Sequence, residues 1–259
     1  MGEIRRVRRA HYAISAALPD AVQAVRIGGR LAGVSAARTF GLWAGFDGRL
    51  HVALPANASR LRTNLAPSVT TNVTPDISTR ASVLHWVRPS LPGPDCWRVS
   101  VEDCVRQIAS WADAETAVAC LDTARTVFGW DGARMAAVFR RASATERARA
   151  ALSRPGSDAG TESVVRQRLL RCGVTVKQQV TISGVGRVDM LITGTKIVIE
   201  VDGKTHHSSP DSFENDRRRD AELARRGYTV VRLSFAKIFG DWAWCERMIL
   251  AAIAQFRFM

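Results

Sequence analysis

The pattern of hydrophobic and polar positions changes character along the chain. In the first hundred residues it comes in short β-type runs broken by turn formers. Ile4 to Ile14 reads as a short basic β segment, with arginines at 5, 6, 8 and 9. Ser35 to Trp43 has the look of a short helix ending near Gly41, and Leu50 to Leu54 of a strand stopped by Pro55, which has no N–H for a ladder. Val69–Val73 and Ala81–Val87 are β-branched enough to be further strands. From Val101 the apolar spacing switches to three and four, which predicts helices over Val101–Ala112, Glu115–Thr123, Asp131–Arg141 and Ala144–Ala151. Strands followed by helices predict a smaller α+β, winged-helix-like module with a helical lead-out.

Residues 153–160, SRPGSDAG, are rich in turn formers and lack large apolar side chains. They read as a linker between a domain over 1–152 and another over 161–259. The second domain is patterned more sharply. Glu162–Cys172 predicts a helix closed by Gly173. Strands follow over Val174–Ile182, Gly186–Ile192 and Lys196–Asp202, then a polar loop, then a helix over Ser212–Arg226 closed by Gly227. Tyr228–Ser234 is a strand and Ala236–Phe256 mostly helix. The fold class is α/β, with a mixed sheet flanked by helices in the order α-β-β-β-α-β.

This pattern places acids in apolar strands. With a two-residue hairpin loop at Gly194-Thr195, the commonest kind, residue 192 pairs with 197 and Asp189 falls opposite Glu200. Opposed side chains share a face, with Cβ atoms about 4.5–5.5 Å apart. Asp202 has the parity of Glu200. Like charges so placed destabilise a sheet, and burial sharpens the conflict until a proton or a cation enters. Asp189, Glu200 and Asp202 are therefore candidate ligands for Mg²⁺ (or Mn²⁺), which binds through one or two carboxylates together with water and substrate phosphate.

Other residues surround this group. Glu162 lies three residues before Val165 on the stripe Val165, Leu169, Cys172. It either reaches the acidic site or complements the helix dipole. Lys204 either steadies a water or phosphoryl group or is a solvated loop residue. One of His206 and His207 is a candidate general acid or base, since adjacent residues diverge in direction. Of Gln178 and Gln179 one must point inward, to orient water or phosphate or to bond the sheet. In FENDRRRDAEL, Phe213, Asp216, Asp220 and Leu223 share a face, while Arg217, Arg218 and Arg219 fan around the helix as candidate phosphate contacts or as a solvated charge run.

Composition narrows the partner. The formal net charge is +13, which favours a polyanion through phosphate neutralisation. The excess is spread, with 16 Lys+Arg against 11 Asp+Glu over 161–259 and 21 against 13 over 1–160. DNA is the expected partner, with Arg5, Arg6, Arg8, Arg9, Gln179, Arg217 and Arg219 as candidate contacts. No apolar run approaches a membrane span, and the basic start MGEIRRVRRA has no apolar core of a secretory signal. Five scattered cysteines without a C-x-x-C pair argue for reduced thiols in a cytoplasm, against a disulfide framework and against structural zinc.

The pattern E-(x26)-D-(x10)-E-V-D-G-x-x-HH, followed by D-R-R-R-D and G-Y-x-V-V-R, resembles the PD-(D/E)xK nuclease superfamily. More closely it resembles an uncharacterised domain family related to very-short-patch-repair endonucleases. The resemblance covers roughly residues 160–255. It implies a restriction-endonuclease-like αβββαβ core and a Mg²⁺-dependent phosphodiesterase site. Asp189 and Glu200 would be metal ligands, Glu162 a supporting acid, and Asp202 would stand where the superfamily has a lysine. The lysine's role would pass to Lys204 or Lys177, or go unfilled, and His206 or His207 would share in catalysis. GEIRRVRRAHYA and GGRLAGVSAARTFGLW resemble, more loosely, the wing and following helix of AbiEi-type antitoxin proteins, with Ala10 in place of a glycine. The expected function is a metal-dependent DNA endonuclease in phage defence, restriction or repair, with a homodimer as an option. The alternative is a DNA-binding regulator, antitoxin-like, on an inactive nuclease fold.

Overall fold

The computed structural model describes residues 4–62, 81–88, 95–157, 159–202 and 210–257, without the side chains of 210–216 and 257. The expected strand Val69–Val73 and the residues Lys204, His206 and His207 lie outside the described residues. The chain divides into two compact units, Met1–Ser153 and Arg154–Met259.

The first unit opens with a hairpin of β1 (Ile4–Arg8) and β2 (His11–Ile14). Its turn holds Ala10 at φ 60°, a left-handed conformation that L-residues with a Cβ resist. Next come α1 (Pro19–Ile27), β3 (Arg30–Leu31), α2 (Gly33–Thr39), β4 (Leu50–Pro55) and β5 (Ser82–Val87). Sequence patterning does not predict α1, although Pro at its first turn suits a helix start and Ala21, Val22, Ala24, Val25 and Ile27 are buried. The sheet order is β3-β4-β5, antiparallel between β3 and β4 and parallel between β4 and β5.

Four helices complete this unit: α3 (Val101–Trp111), α4 (Ala114–Phe128), α5 (Gly132–Phe139) and α6 (Ala144–Leu152). Each starts at a side chain that accepts an otherwise orphaned backbone N–H, namely Ser100, Asp113, Asp131 and Ser143. α4 runs on past the expected Thr123 to a left-handed stop at Gly129. Leu31, Val52, Leu54, Ile108, Leu121 and Phe139 lie in the core.

A polar line absent from the sequence reading also runs through this unit. Asp47 Oδ2 meets His51 Nε2 at 3.0 Å, His51 Nδ1 meets His85 Nε2 at 3.1 Å, and the His85 ring stacks on Trp111 at 3.6 Å. Burial lowers the pKa of both histidines, His85 to about 4, so this line is uncharged at its rings near neutrality.

The second unit contains α7 (Gly160–Arg171), β6 (Val176–Ile182), β7 (Gly186–Ile192), β8 (Ile197–Asp202), α8 (Pro210–Arg225), β9 (Thr229–Ser234), α9 (Phe235–Gly240) and α10 (Trp242–Arg257). The sheet order is β6-β7-β8-β9. The first two pairings are antiparallel, and β8–β9 is parallel, with α8 as the crossover such a pair requires. The expected C-terminal helix is broken at Asp241, whose carboxylate accepts the Trp244 N–H at 3.2 Å and so starts a new helix. Val165 and Leu169 of α7 are buried as their spacing predicts, but Cys172 is exposed, because the helix ends before it.

The strained hairpin turn yields a test. Left-handed alanine costs about 1–2 kcal/mol, against about 0.4–1 kcal/mol of extra unfolded-state entropy for glycine. Ala10→Gly should therefore raise stability by roughly 0.5 kcal/mol in urea unfolding, and Ala10→Val should lower it by at least about 1 kcal/mol.

Candidate active site

The β7–β8 ladder pairs Met190 with Ile199 and Leu191 with Val198. This is the register a two-residue loop at Gly194-Thr195 demands, and its next step sets Asp189 against Glu200. The backbone ladder stops at this step. Asp189 Oδ2 instead accepts the Val201 N–H at 2.8 Å, so a side chain takes over from a main-chain partner.

The flanking strands extend the row. On β6, Gln178 pairs with Met190 and Val180 with Val188, which sets Gln179 across from Asp189. Gln179 is left-handed at φ 50°. On β9, Arg232 is in register with Glu200. Gln179, Asp189, Glu200 and Arg232 thus form one line across all four strands.

Three further contacts tie this line to the helices. Gln179 Nε2 donates to Glu162 Oε2 at 2.9 Å, and Glu162 is buried in the first turn of α7. Arg219 of α8 donates from Nη2 to Glu200 Oε1 at 2.7 Å and to the Arg187 carbonyl. Arg219 Nε is buried without a partner. Arg232 pairs with Asp220.

Electrostatics single out Glu200, whose side chain is 12% exposed. Burial raises its pKa most, the adjacent Asp189 carboxylate raises it further, and Arg219 pulls it back, leaving it at about 7 against the ordinary 4.5. The two carboxyls are within hydrogen-bonding reach of one another. One arginine therefore falls short of offsetting two acids in this setting. The donor set suits a small hard cation: two adjacent carboxylates, one of them still holding a proton near neutrality because it is buried beside the other.

The other expected residues fall into place unevenly. Asp202 is half-buried on β8, two residues beyond Glu200 and so about 6.6 Å along the strand. Among the described residues no set of three or more His, Cys, Asp or Glu is gathered to hold a metal. Strand rise thus sets Asp202 one step away from the Asp189–Glu200 pair. Lys177 is exposed on β6. Gln178 donates to Ser157 at 2.7 Å. Arg5, Arg6, Arg9 and Arg217 are exposed.

Of the two readings of the arginine run, Arg219 does not fit the solvated one: α8 turns it inward onto Glu200. The signal was present, since residue 219 lies one turn before the buried Leu223. Arg8 is likewise half-buried, with its Nη1 enclosed.

The restriction endonuclease-like family model REase_MTES_1575 matches residues 162–253. That range opens at Glu162 and encloses Asp189, Glu200 and Arg219, and the match supports a nuclease fold for this part of the chain. More particularly, a 47-residue stretch is 49% identical to an uncharacterized protein of Haemophilus influenzae. It makes up 18% of this chain and 38% of that protein, so the chain spans well under half the length of this curated relative. Among solved structures, the catalytic domain of homing endonuclease I-Bth0305I aligns at 23% identity with a TM-score of 0.31, over 35% of this chain and 89% of that domain. Among the described residues no helix is long and apolar enough to cross a membrane.

The raised pKa of Glu200 has a definite sign. Between about 4.5 and about 7 the folded state holds a proton that the unfolded state has lost, so this residue's contribution to stability declines as pH rises through that window. In chelator, Glu200→Gln should melt increasingly above wild type from pH 5 to pH 8. A pH-independent difference would contradict the burial and pairing described.

Proposed function

We propose that residues 161–259 form a metal-dependent endonuclease domain of the PD-(D/E)xK type, related to very-short-patch-repair enzymes, that hydrolyses DNA phosphodiester bonds in restriction, repair or phage defence. The observation that carries this reading is the meeting of the Asp189 and Glu200 carboxyls between β7 and β8, with Glu200 poised at about 7. The family match over 162–253 supports it. Residues 153–160 serve as the linker, and the division of the chain after Ser153 agrees with that. The AbiEi-like wing of the first domain draws support from Ala10, whose positive φ is what glycine would supply at that turn.

Asp189 and Glu200 would hold Mg²⁺ or Mn²⁺, which when bound supplies Lewis acidity at a phosphoryl oxygen and an acidified water. The chain's own residues prepare the setting. The Val201 N–H fixes the Asp189 carboxylate, so its orientation is set before any ligand arrives. Glu200 can take up or release a proton near neutrality. Glu162 holds the Gln179 amide beside Asp189. Arg219 keeps a permanent positive charge at the site, where position 202 carries an aspartate in place of the superfamily's lysine, and it can neutralise a phosphate oxygen. The exposed Arg5, Arg6, Arg9 and Arg217 would grip the backbone of DNA.

A second reading, a DNA-binding regulator on an inactive nuclease fold, is favoured by one observation: Arg219 already neutralises part of Glu200 without any metal. A plasmid assay separates the two. With Mn²⁺ or Mg²⁺ the wild type should nick supercoiled DNA, and Glu200→Ala and Asp189→Asn should each be slower by on the order of a hundredfold. Nicking by Glu200→Ala at the wild-type rate would overturn the proposed site. DNA binding by all three proteins with cutting by none would establish the second reading.

A further inference from the structure

The first unit contains a cleft of about 400 Å³ bordered by β1, α1, β3, β4 and β5. That volume lies within the range of small-molecule sites. Its walls are largely apolar, including Val25, Leu54, Val87 and Val99, yet two arginines, Arg8 of β1 and Arg30 of β3, also line it. Among the described residues no hydrogen bond or ion pair neutralises either guanidinium. Arg8 Nη1 is enclosed without any partner, against Gly28, where a Cβ would come within 1.9 Å of it. Buried guanidinium nitrogens without acceptors are unfavourable, so the Arg8 guanidinium as a whole gains from an anion entering beside it.

The remaining polar lining sharpens the chemistry. The one acidic lining residue is Asp103, and it lies 3.4 Å from Arg106. Its charge is thus balanced locally rather than by Arg8 or Arg30. Gln107 accepts the Gly33 N–H at 3.0 Å through Oε1, which leaves its NH₂ end as a donor. His11 also lines the cleft, with its Nδ1 at 3.0 Å from the Arg9 carbonyl. The cleft therefore offers two guanidiniums, one imidazole, one amide donor and one ion-paired acid among apolar walls.

We propose that this cleft binds a nucleoside monophosphate, free in solution or as the phosphorylated terminal nucleotide of a strand. A phosphate monoester carries about −1.5 to −2 charge at pH 7, matching two guanidiniums better than a carboxylate does. The base lies against the apolar walls, and a base carbonyl accepts from Gln107. The site stands apart from the Asp189–Glu200 chemistry and holds whether or not the chain cuts DNA.

Cys96 lines the cleft and is exposed, so it reports occupancy. Cys172, also exposed, lies in the other unit and serves as an internal control. Alkylation of the full chain by iodoacetamide, followed peptide by peptide by mass spectrometry, should slow at Cys96 in the presence of dTMP and stay unchanged at Cys172. Thymidine at the same concentration should give no protection. Arg30→Gln, and separately Arg8→Gln, should raise the half-protecting dTMP concentration by at least about tenfold while melting within a few degrees of wild type. A 5′-phosphorylated oligonucleotide that protects at lower concentration than dTMP identifies a strand end as the ligand, and the reverse order identifies a free nucleotide. Protection by neither, equal protection by thymidine, or undiminished protection in a folded Arg30→Gln protein would overturn the proposal.

Discussion

Two carboxylates facing each other across a β-ladder are the constraint around which the second unit is organised. The apolar runs of β7 and β8 are buried strands, and their hairpin register leaves no freedom over what sits opposite Asp189. Burial gains from Met190, Ile192, Ile197, Val198 and Ile199 hold the acids together despite their repulsion. The surrounding structure then answers that repulsion piecemeal. The Val201 N–H takes one carboxylate, Arg219 takes the other, and a proton persists on Glu200 to about pH 7.

The same row contains a strained backbone position. Gln179, opposite Asp189 on β6, adopts a left-handed conformation within a strand whose register continues unshifted on both sides. Sparsely populated backbone conformations persist only where neighbours over-determine them. Here the Gln179–Glu162 hydrogen bond is one such neighbour, and it links the first turn of α7 to the row of site residues. Glu162 and Asp189 come from elements far apart in sequence, and this glutamine joins them.

Much of this was legible beforehand because the informative rules are local. Alternation and turn chemistry placed β7 at its observed bounds and paired Asp189 with Glu200 from a two-residue loop. Helical spacing found α7, and the glycines at 173 and 227 marked its end and that of α8. What escaped depends on tertiary contact. Arg219 sits in a run of three arginines, where a solvated reading is the default, and only the docking of α8 selects it. α1 is only nine residues long, and the burial of Ala21, Val22, Ala24, Val25 and Ile27 holds it in place. The Asp47–His51–His85 line joins residues from a loop and two strands, with no spacing to announce it. For Asp202, parity gives the face it shares with Glu200 but says nothing about reach along the strand.

The central claim is that Arg219 compensates the Asp189–Glu200 pair only in part and that a divalent ion would supply the rest. Anomalous diffraction from a crystal soaked in Mn²⁺ at pH 8 tests this most directly. The account predicts a peak bridging the two carboxyl groups, with the Arg219 guanidinium drawn away from Glu200. A map with no peak there, and Arg219 still seated on Glu200, would contradict it.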